Sequence, residues 1–228
     1  MRVSEIFRSR QGEGRLAGTP SVFVRASGCN LRCRWCDTPY ASWSPEGADL
    51  SVDEIVEHVR AQGVEHVVLT GGEPMLFAEL APLSKTLREA GHHITIETAG
   101  TIFLPVECDL MSISPKTANS TPPADADPRW VRRHERARHA PDVIRRLIAD
   151  YDYQIKFVVA AIDDGEEVER YLAELPGIDR SRVMLMPEGT DPVVLASRSA
   201  WLEPYCRQRG LAFCPRLHIE WYGPARGT

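Results

Sequence analysis

The chain has 228 residues, of which 43% are hydrophobic and 26% charged, as in a globular domain with a sizeable core. Its net charge of −5 argues against a general surface for nucleic acid. It has neither the apolar run of a signal peptide nor the ~18 apolar residues that span a bilayer. We therefore expect a single domain over residues 1–228 in the cytoplasm, where thiols stay reduced, with no nucleic-acid or membrane partner.

Segments that resemble strands and helices alternate along the chain. Runs rich in β-branched residues predict strands, and apolar residues at helical spacing predict helices. Ser51 can cap one helix, Gly91 can end another, and Pro141 suits a first helical turn. The predicted elements are, in order, a strand at 20–26, a helix at 51–62, a strand at 66–70, a helix at 77–91, strands at 93–100 and 108–116, a helix at 141–150, a strand at 153–160, a helix at 164–175, a strand at 182–189 and a helix at 191–209.

This alternation predicts βαβ units and a parallel sheet. Six core strands are too few for a closed eight-unit barrel. We therefore expect an α/β fold, a partial TIM-type barrel of about six parallel strands with short terminal extensions. Ligands of such folds gather at the carboxyl ends of the strands. The loops that follow the strands would share that face, and they contain a cysteine-rich segment, GGEP (71–74), ETAG (97–100), SPK (114–116) and MPEG (186–189).

The segment 117–142 departs from this rhythm, because it is first rich in proline and then strongly basic. Charge-rich insertions of this kind are usually solvated excursions or surface helices. The functional alternative is a lid or an interaction surface.

Three of the six cysteines, Cys29, Cys33 and Cys36, lie within eight residues. A closed zinc site usually takes two CxxC pairs, and the second pair is missing here. A redox disulfide would use Cys33 and Cys36 and leave Cys29 idle. An iron–sulfur cluster on three cysteines would leave one iron open for a substrate or cofactor. Three further cysteines stand in apolar settings and are predicted to be buried core residues, namely Cys108, Cys206 and Cys214.

The C-x3-C-x2-C spacing, with Trp35 before the last cysteine and GGEP after the next strand, resembles the radical S-adenosylmethionine (SAM) enzymes. The resemblance implies a 4Fe–4S cluster on the three cysteines, whose open iron binds SAM. Reductive cleavage would then yield a 5′-deoxyadenosyl radical, with an electron from an external donor such as flavodoxin. It also implies SAM-binding roles, less firmly for Glu97, which could instead support a neighbour. The implied SAM-binding residues are Trp35, Asp37, Gly71, Gly72, Glu73, Glu97, Ser114, Lys116, Met186, Pro187 and Glu188.

Three stretches resemble one family within this superfamily, the 7-carboxy-7-deazaguanine synthases. They are the amino-terminal segment with QGEG (11–14), the pair Asp37–Thr38, and the ending RLHIEWYGPARGT. The resemblance implies a homodimeric carbon–nitrogen lyase of queuosine and deazapurine biosynthesis. It would convert 6-carboxy-5,6,7,8-tetrahydropterin into 7-carboxy-7-deazaguanine with loss of ammonia. Thr38 would help to bind Mg²⁺, and the implied substrate-binding residues are Arg10, Gln11, Gly12, Glu13, Arg25, Thr70 and His218.

Several alternatives remain open from the sequence. Arg25 can meet a substrate carboxylate with a bidentate fork, or it can form a salt bridge at the sheet edge. QGEG can be a polar turn, and His218, in an alternating stretch, can be structural. An activase for glycyl-radical enzymes would bind a large protein partner and cleave SAM without a pterin. A non-catalytic metal-binding module would use the cysteine loop as a structural staple.

Overall fold

One nine-stranded sheet organises the protein, and the computed structural model describes residues 1–228. The strands are β1 (Arg2–Arg10), β2 (Pro20–Ala26), β3 (Ala48–Asp49), β4 (His66–Gly71), β5 (His93–Thr98), β6 (Leu110–Ile113), β7 (Tyr153–Val159), β8 (Val183–Pro187) and β9 (Ala212–Phe213). The helices are α1 (Pro39–Ser42), α2 (Val52–Ala61), α3 (Leu80–Glu89), α4 (Pro128–Arg138), α5 (Pro141–Asp150), α6 (Ile162–Ala173), α7 (Pro192–Arg209) and α8 (Leu217–Tyr222). No helix has the length and apolar character that a membrane crossing requires.

The strand order is β3-β1-β2-β4-β5-β6-β7-β8-β9, which is a sheet with two free edges. The strands from β2 through β4 to β8 pair in parallel with their neighbours, which confirms the six predicted core strands and the partial barrel. β9 adds a short parallel strand at one edge. At the other edge, β1 pairs antiparallel with β2 and with β3, an extension that the sequence pattern did not specify.

Burial on both faces explains the apolar runs of the parallel strands. Every residue of β7 is buried, and five of the six residues of β4 are buried. Apolar side chains of the surrounding helices, such as Ile55, Leu83 and Ile144, complete one continuous core with these strands. The helices therefore pack against the sheet, as the alternation of strands and helices predicts.

Local signals set several helix ends. Ser51 caps α2 in a capping box with Glu54, because each side chain accepts a hydrogen bond from the other residue's backbone N–H. Asp191 caps α7. The predicted helix at 77–91 is shorter than expected: α3 begins at Leu80, after a 3₁₀ turn at Pro74–Leu76. Phe77, which follows that turn, has an extended backbone, so the helix cannot begin at this residue.

All six cysteines are free thiols. Cys206 and Cys214 are buried, as predicted for core residues. Cys108 is only half-buried at the edge of the core, so the prediction of full burial is wrong for this residue.

Candidate active site

One cavity of about 330 Å³ opens at the carboxyl ends of the parallel strands. Its walls come from the β1–β2 connection, the loops after the parallel strands, and the carboxy-terminal residues. A volume of this order is typical of a site for small molecules. The prediction that the notable loops share one face is therefore confirmed by the cavity that they form together.

Most residues that the sequence singled out line this cavity. They are Arg10, Gln11, Gly12, Glu13, Arg25, Cys29, Cys33, Trp35, Cys36, Asp37, Thr38, Thr70, Gly71, Gly72, Glu97, Ser114, Lys116, Met186 and His218. Three predicted residues do not line it, namely Glu73, Pro187 and Glu188. The SAM-binding roles of these three residues stay predictions.

Glu73 is fully buried and its carboxylate is used within the protein. One oxygen accepts hydrogen bonds from the Met75 backbone N–H at 3.1 Å and the Thr98 hydroxyl at 2.8 Å, and the other accepts from the Ala99 N–H at 2.8 Å. Burial raises the pKa of this carboxyl. The side chain therefore joins the GGEP loop to the end of β5.

The other two residues, Pro187 and Glu188, lie at the end of β8. Pro187 is buried within the strand, so it presents no surface to the cavity. The Glu188 carboxylate forms an ion pair with Arg198 on α7. Both residues therefore support the wall from behind, and only Met186 of this group reaches the cavity.

The GGEP loop lies directly against the cysteine loop. A Cβ atom at Gly71, whose φ is +143°, would lie 2.2 Å from the Ala26 carbonyl oxygen, and one at Gly72 would lie 2.3 Å from the Gly28 carbonyl oxygen. Glycine is required at both positions, because any side chain would collide with backbone atoms. The backbone N–H of Gly72 donates to the Ala26 carbonyl at 3.0 Å, which fixes the contact.

The three loop cysteines present their thiols to the cavity from an apolar surrounding that includes Leu31 and Ala99. Burial raises the pKa of Cys29 and of Cys33 to about 12. No group of three His, Cys, Asp or Glu side chains converges closely enough to hold a single metal ion. The thiols of a four-iron cluster each bind a different iron and need not converge on one point. The three free thiols at one cavity match the cysteine ligands that such a cluster would take.

The residues after Cys36 have different surroundings. Asp37 forms an ion pair with Arg216, which also donates to the Gly189 carbonyl oxygen. The Thr38 hydroxyl has one polar neighbour, the Cys36 sulfur at 3.9 Å. Thr38 therefore lines the cavity, and its hydroxyl forms no strong hydrogen bond with another protein group.

Buried charges dominate the opposite wall. Glu13 forms an ion pair with Lys156, and its carboxylate also lies 3.5 Å from the Arg216 Nε and 3.7 Å from the His218 Nδ1. Although burial opposes ionisation, these neighbours hold the pKa of Glu13 well below its usual range. The pKa of Lys156 is raised mainly by Glu13, against the effect of burial. Burial lowers the pKa of His218.

Sequence reasoning missed Lys156 and Arg216. Lys156 stands in the middle of the buried strand YQIKFVV, and a lysine in such a strand is costly unless it has a partner. That contrast was the available signal. Arg216 precedes α8 and is 5% exposed, so its burial depends on distant partners that no local spacing reveals.

Glu97 connects two predicted substrate residues. One carboxylate oxygen accepts from the Gln11 side-chain amide at 3.0 Å, and the other accepts from the Thr70 hydroxyl at 2.8 Å. Glu97 thus supports two neighbours, which was one of its two predicted roles, and it also lines the cavity, so its role in SAM binding stays a prediction.

Arg25 makes the salt bridge that was the structural alternative, with its Nε donating to Glu5 at 2.6 Å. Its guanidinium also lies 5.6 Å from the centre of the Phe7 ring. The two terminal nitrogens donate to no acceptor within the protein, and the residue lines the cavity. The salt bridge therefore orients Arg25 and leaves its outer edge free for an anionic ligand.

The carboxy-terminal segment closes one side of the cavity. His218 lies on the short helix α8, so its alternating pattern does not form a strand. Beyond α8, residues 223–228 line the cavity. Arg226 anchors this tail through Glu5 at 3.2 Å and Glu46 at 3.1 Å.

The chain is similar to known proteins in both sequence and fold. Residues 23–163 match the family model of the radical SAM superfamily. The chain is 46% identical over 227 residues to the 7-carboxy-7-deazaguanine synthase of Rhodopirellula baltica, covering 99% of this chain and 88% of that protein. It is 44% identical over 236 residues to the synthase of Halobacterium salinarum, covering 99% and 92%. The crystal structure of QueE from Escherichia coli has a similar fold, with a TM-score of 0.70, 24% identity, and coverage of 95% of this chain and 94% of that one.

Proposed function

The chain belongs to the 7-carboxy-7-deazaguanine synthase family of the radical SAM superfamily, and from this membership we propose its reaction and the roles of its residues. The reaction is conversion of 6-carboxy-5,6,7,8-tetrahydropterin into 7-carboxy-7-deazaguanine with loss of ammonia, by a carbon–nitrogen lyase. The observation that carries the proposal is the single cavity that joins the cysteine loop to the QGEG loop, Arg25 and His218.

Cys29, Cys33 and Cys36 would hold a 4Fe–4S cluster. Their fit rests on three free thiols whose residues line one cavity. When bound, the cluster and SAM supply hydrogen-atom abstraction. The protein positions these groups and excludes water.

SAM would lie between the cysteine loop and the GGEP loop. Gly71 and Gly72 allow close approach because no side chain fits there. At the cavity wall, the Lys116 ammonium donates a hydrogen bond to the Ser114 hydroxyl at 2.7 Å. Both groups can contact the polar groups of a nucleoside there. The remaining contacts on this side would come from Trp35, Asp37 and Met186.

The substrate would lie against the charged wall. A pterin presents N–H donors on its aminopyrimidinone edge, and the Glu13 and Glu97 carboxylates are acceptors suited to them. Thr70, Gln11, Gly12 and Arg10 would complete this edge. The free terminal nitrogens of Arg25 would bind the substrate carboxylate, because a guanidinium matches a carboxylate with paired hydrogen bonds. His218, beside Glu13, would bound the same subsite.

Thr38 would contribute a hydroxyl to Mg²⁺, since the hydroxyl faces the cavity with one weak neighbour. Mg²⁺ prefers six oxygen ligands and keeps water readily. One protein hydroxyl is thin ligation, so substrate oxygens and water would complete the site. The ion would orient the substrate and stabilise developing charge.

The decisive experiment is anaerobic turnover of reduced, cluster-loaded protein with the carboxytetrahydropterin, SAM and Mg²⁺. Mass spectrometry of the product should show the deazaguanine carboxylic acid and the release of ammonia. SAM cleavage without a pterin product would favour the activase alternative. We further propose that the protein is cytoplasmic and forms a homodimer. Size-exclusion chromatography with light scattering tests the dimer.

A further inference from the structure

The basic segment 117–142 packs against the cysteine loop. The Arg32 backbone N–H donates to the His134 Nδ1 at 3.1 Å, and the Arg34 N–H donates to the Ser120 carbonyl at 3.1 Å. The Arg32 guanidinium lies 3.6 Å from the centre of the Trp130 ring on α4. His134 is fully buried, so this contact is part of the folded core. The inner face of α4 therefore rests on the loop that carries the three cysteines.

The outer face of α4 carries a row of arginines. Arg129, Arg132, Arg133 and Arg136 are all exposed, and their spacing of three and four residues places them on one side of the helix. Arg129 pairs with Asp127, whereas the other three form no ion pair within the chain. We call Arg132, Arg133 and Arg136, with the exposed Arg34 of the cysteine loop, the arginine face.

The charge of this region contrasts with the rest of the molecule. Helix α4 has five arginines and one glutamate, a formal charge of +4, whereas the whole chain carries −5. Three of these arginines form no ion pair within the chain, although the charge of Arg132 contributes to lowering the pKa of Asp127. Unpaired charges of one sign, gathered on one face, steer an oppositely charged partner during association.

We propose that the arginine face is the docking surface for an acidic one-electron carrier protein. The inference rests on the proposed function, because only a reducible cluster on the cysteine loop requires electrons from outside. One electron would pass from the reduced carrier, which becomes oxidised, to the cluster, which becomes reduced. Arg34 belongs to the cysteine loop, and the Arg133 guanidinium lies 5.0 Å from the centre of the Trp130 ring that Arg32 of the same loop contacts. Docking at the arginine face would therefore place the carrier beside the loop that would hold the cluster.

The other partner that exposed arginines recognise is RNA, through its phosphates. Two observations favour the carrier protein. Helix α4, which carries three of the four arginines, contacts the cysteine loop through Trp130 and Arg32, and the chain as a whole is acidic, which weakens its attraction for a long polyanion.

The test uses the cluster-loaded protein and a recombinant flavodoxin. In the variant Arg132→Glu/Arg136→Glu, the packing residues Trp130 and His134 are untouched. The matched control is Arg2→Glu/Arg60→Glu, which changes the net charge equally at exposed residues that form no ion pair and do not line the cavity.

Stopped-flow reduction by flavodoxin hydroquinone and calorimetric binding of oxidised flavodoxin are measured across ionic strengths. The face variant should lose about tenfold in association rate at low salt, because steered encounter depends on opposite charges, and should approach the unmodified protein at high salt. The control should behave like the unmodified protein. Reduction by dithionite should proceed equally in all three proteins.

Equal flavodoxin rates and affinities in the face variant and the unmodified protein would overturn the proposal. So would loss in the control of the same size, or tighter binding of transfer RNA than of flavodoxin at the same face. If the face variant also fails with dithionite, its role is structural and docking is rejected. Failure of the proposed function has another signature: unmodified protein, reduced by dithionite, would form no deazaguanine product although flavodoxin still binds the arginine face.

Discussion

The two walls of the cavity prepare for their ligands in different ways. The cysteine wall offers thiols in apolar surroundings, and burial raises the pKa of Cys29 and Cys33 to about 12, so these side chains stay neutral without metal. The opposite wall, formed by Glu13, Lys156, Arg216 and His218, is the one proposed to bind the substrate, and we call it the substrate wall. It is charged in the free protein, because Lys156 and Arg216 keep Glu13 ionised. One wall acquires its charge when a metal binds, and the other already has it.

Under the proposed function, this difference follows from what each wall would bind. Thiolate ligands gain their stabilisation from bonds to iron, so the protein needs only to hold three sulfurs in place. A polar substrate instead exchanges its water for fixed protein groups, and such groups help most when they are already oriented. Buried ions are tolerated when every partner is present, and removal of one partner is costly. Substitutions in either wall therefore test this difference.

The largest effect should come from the cysteine wall. Cys33→Ala removes one of three ligands, so the reconstituted protein should lose the visible absorbance of the cluster and all SAM cleavage. Cys206→Ala is the matched control, because Cys206 is equally buried but lies in the core away from the cavity. Iron analysis and absorbance measure both. If Cys206→Ala abolishes the cluster as fully, the assignment of the three loop cysteines is wrong.

The second effect should appear as instability of the substrate wall. Lys156→Met leaves the Glu13 carboxylate buried beside fewer cations, and loss of a buried partner typically costs about 3–5 kcal/mol of unfolding free energy. Urea unfolding at neutral pH measures this. Protonation removes the unpaired charge, so the deficit should shrink as the pH falls towards the ordinary glutamate pKa of about 4.3.

The control for this variant is the double change Lys156→Met/Glu13→Gln. It removes both charges, so it should regain much of the stability lost by Lys156→Met alone. The free energies of the single and double variants give the coupling between the two side chains. A coupling near zero would show that Glu13 and Lys156 do not act as a buried pair, and the contrast between the walls would disappear.

Much of the fold was accessible to sequence reasoning because its signals are local. The six parallel strands and the helix at Pro141–Asp150 follow from apolar runs, helical spacing and a proline at the first turn. β1 was missed because its sequence RVSEIFRSR mixes charged and apolar residues. It forms a strand through antiparallel pairing with β2, which is a long-range interaction that composition does not reveal.

The site divides along the same line. The cysteine spacing and the two glycines of GGEP carry a local signature, and the structure places them on one cavity wall. The direction of the Glu73 carboxylate depends on Thr98 at the end of β5 and on Ala99 just after it, so the motif alone does not show where this carboxylate points. The charged wall is assembled from three segments that are distant in sequence, and for that reason the family resemblance implied Glu13 and His218 while the cationic partners Lys156 and Arg216 were missed.

A third, smaller effect tests how the substrate wall extends to Arg25. Arg25→Lys keeps a positive charge but loses the Nε that donates to Glu5 and the planar pair of terminal nitrogens. We expect about tenfold weaker pterin binding, or about 1.4 kcal/mol, with normal cluster formation. Equilibrium binding of the pterin to cluster-loaded protein measures this. Unchanged affinity in Arg25→Ala would return the residue to the purely structural salt bridge with Glu5.

The smallest effect should arise where the walls meet, at Thr38. Thr38→Val nearly preserves shape but removes the hydroxyl proposed for Mg²⁺, while all three loop cysteines remain. Cluster content and SAM binding should therefore be normal, whereas product formation should fall severalfold and lose most of its stimulation by Mg²⁺. Thr38→Ser keeps the hydroxyl and should retain much of the response. A Mg²⁺ titration of the turnover rate compares the three proteins. An identical Mg²⁺ dependence in Thr38→Val and unmodified protein would mean that this hydroxyl holds no metal, since a merely structural threonine leaves the titration midpoint unchanged.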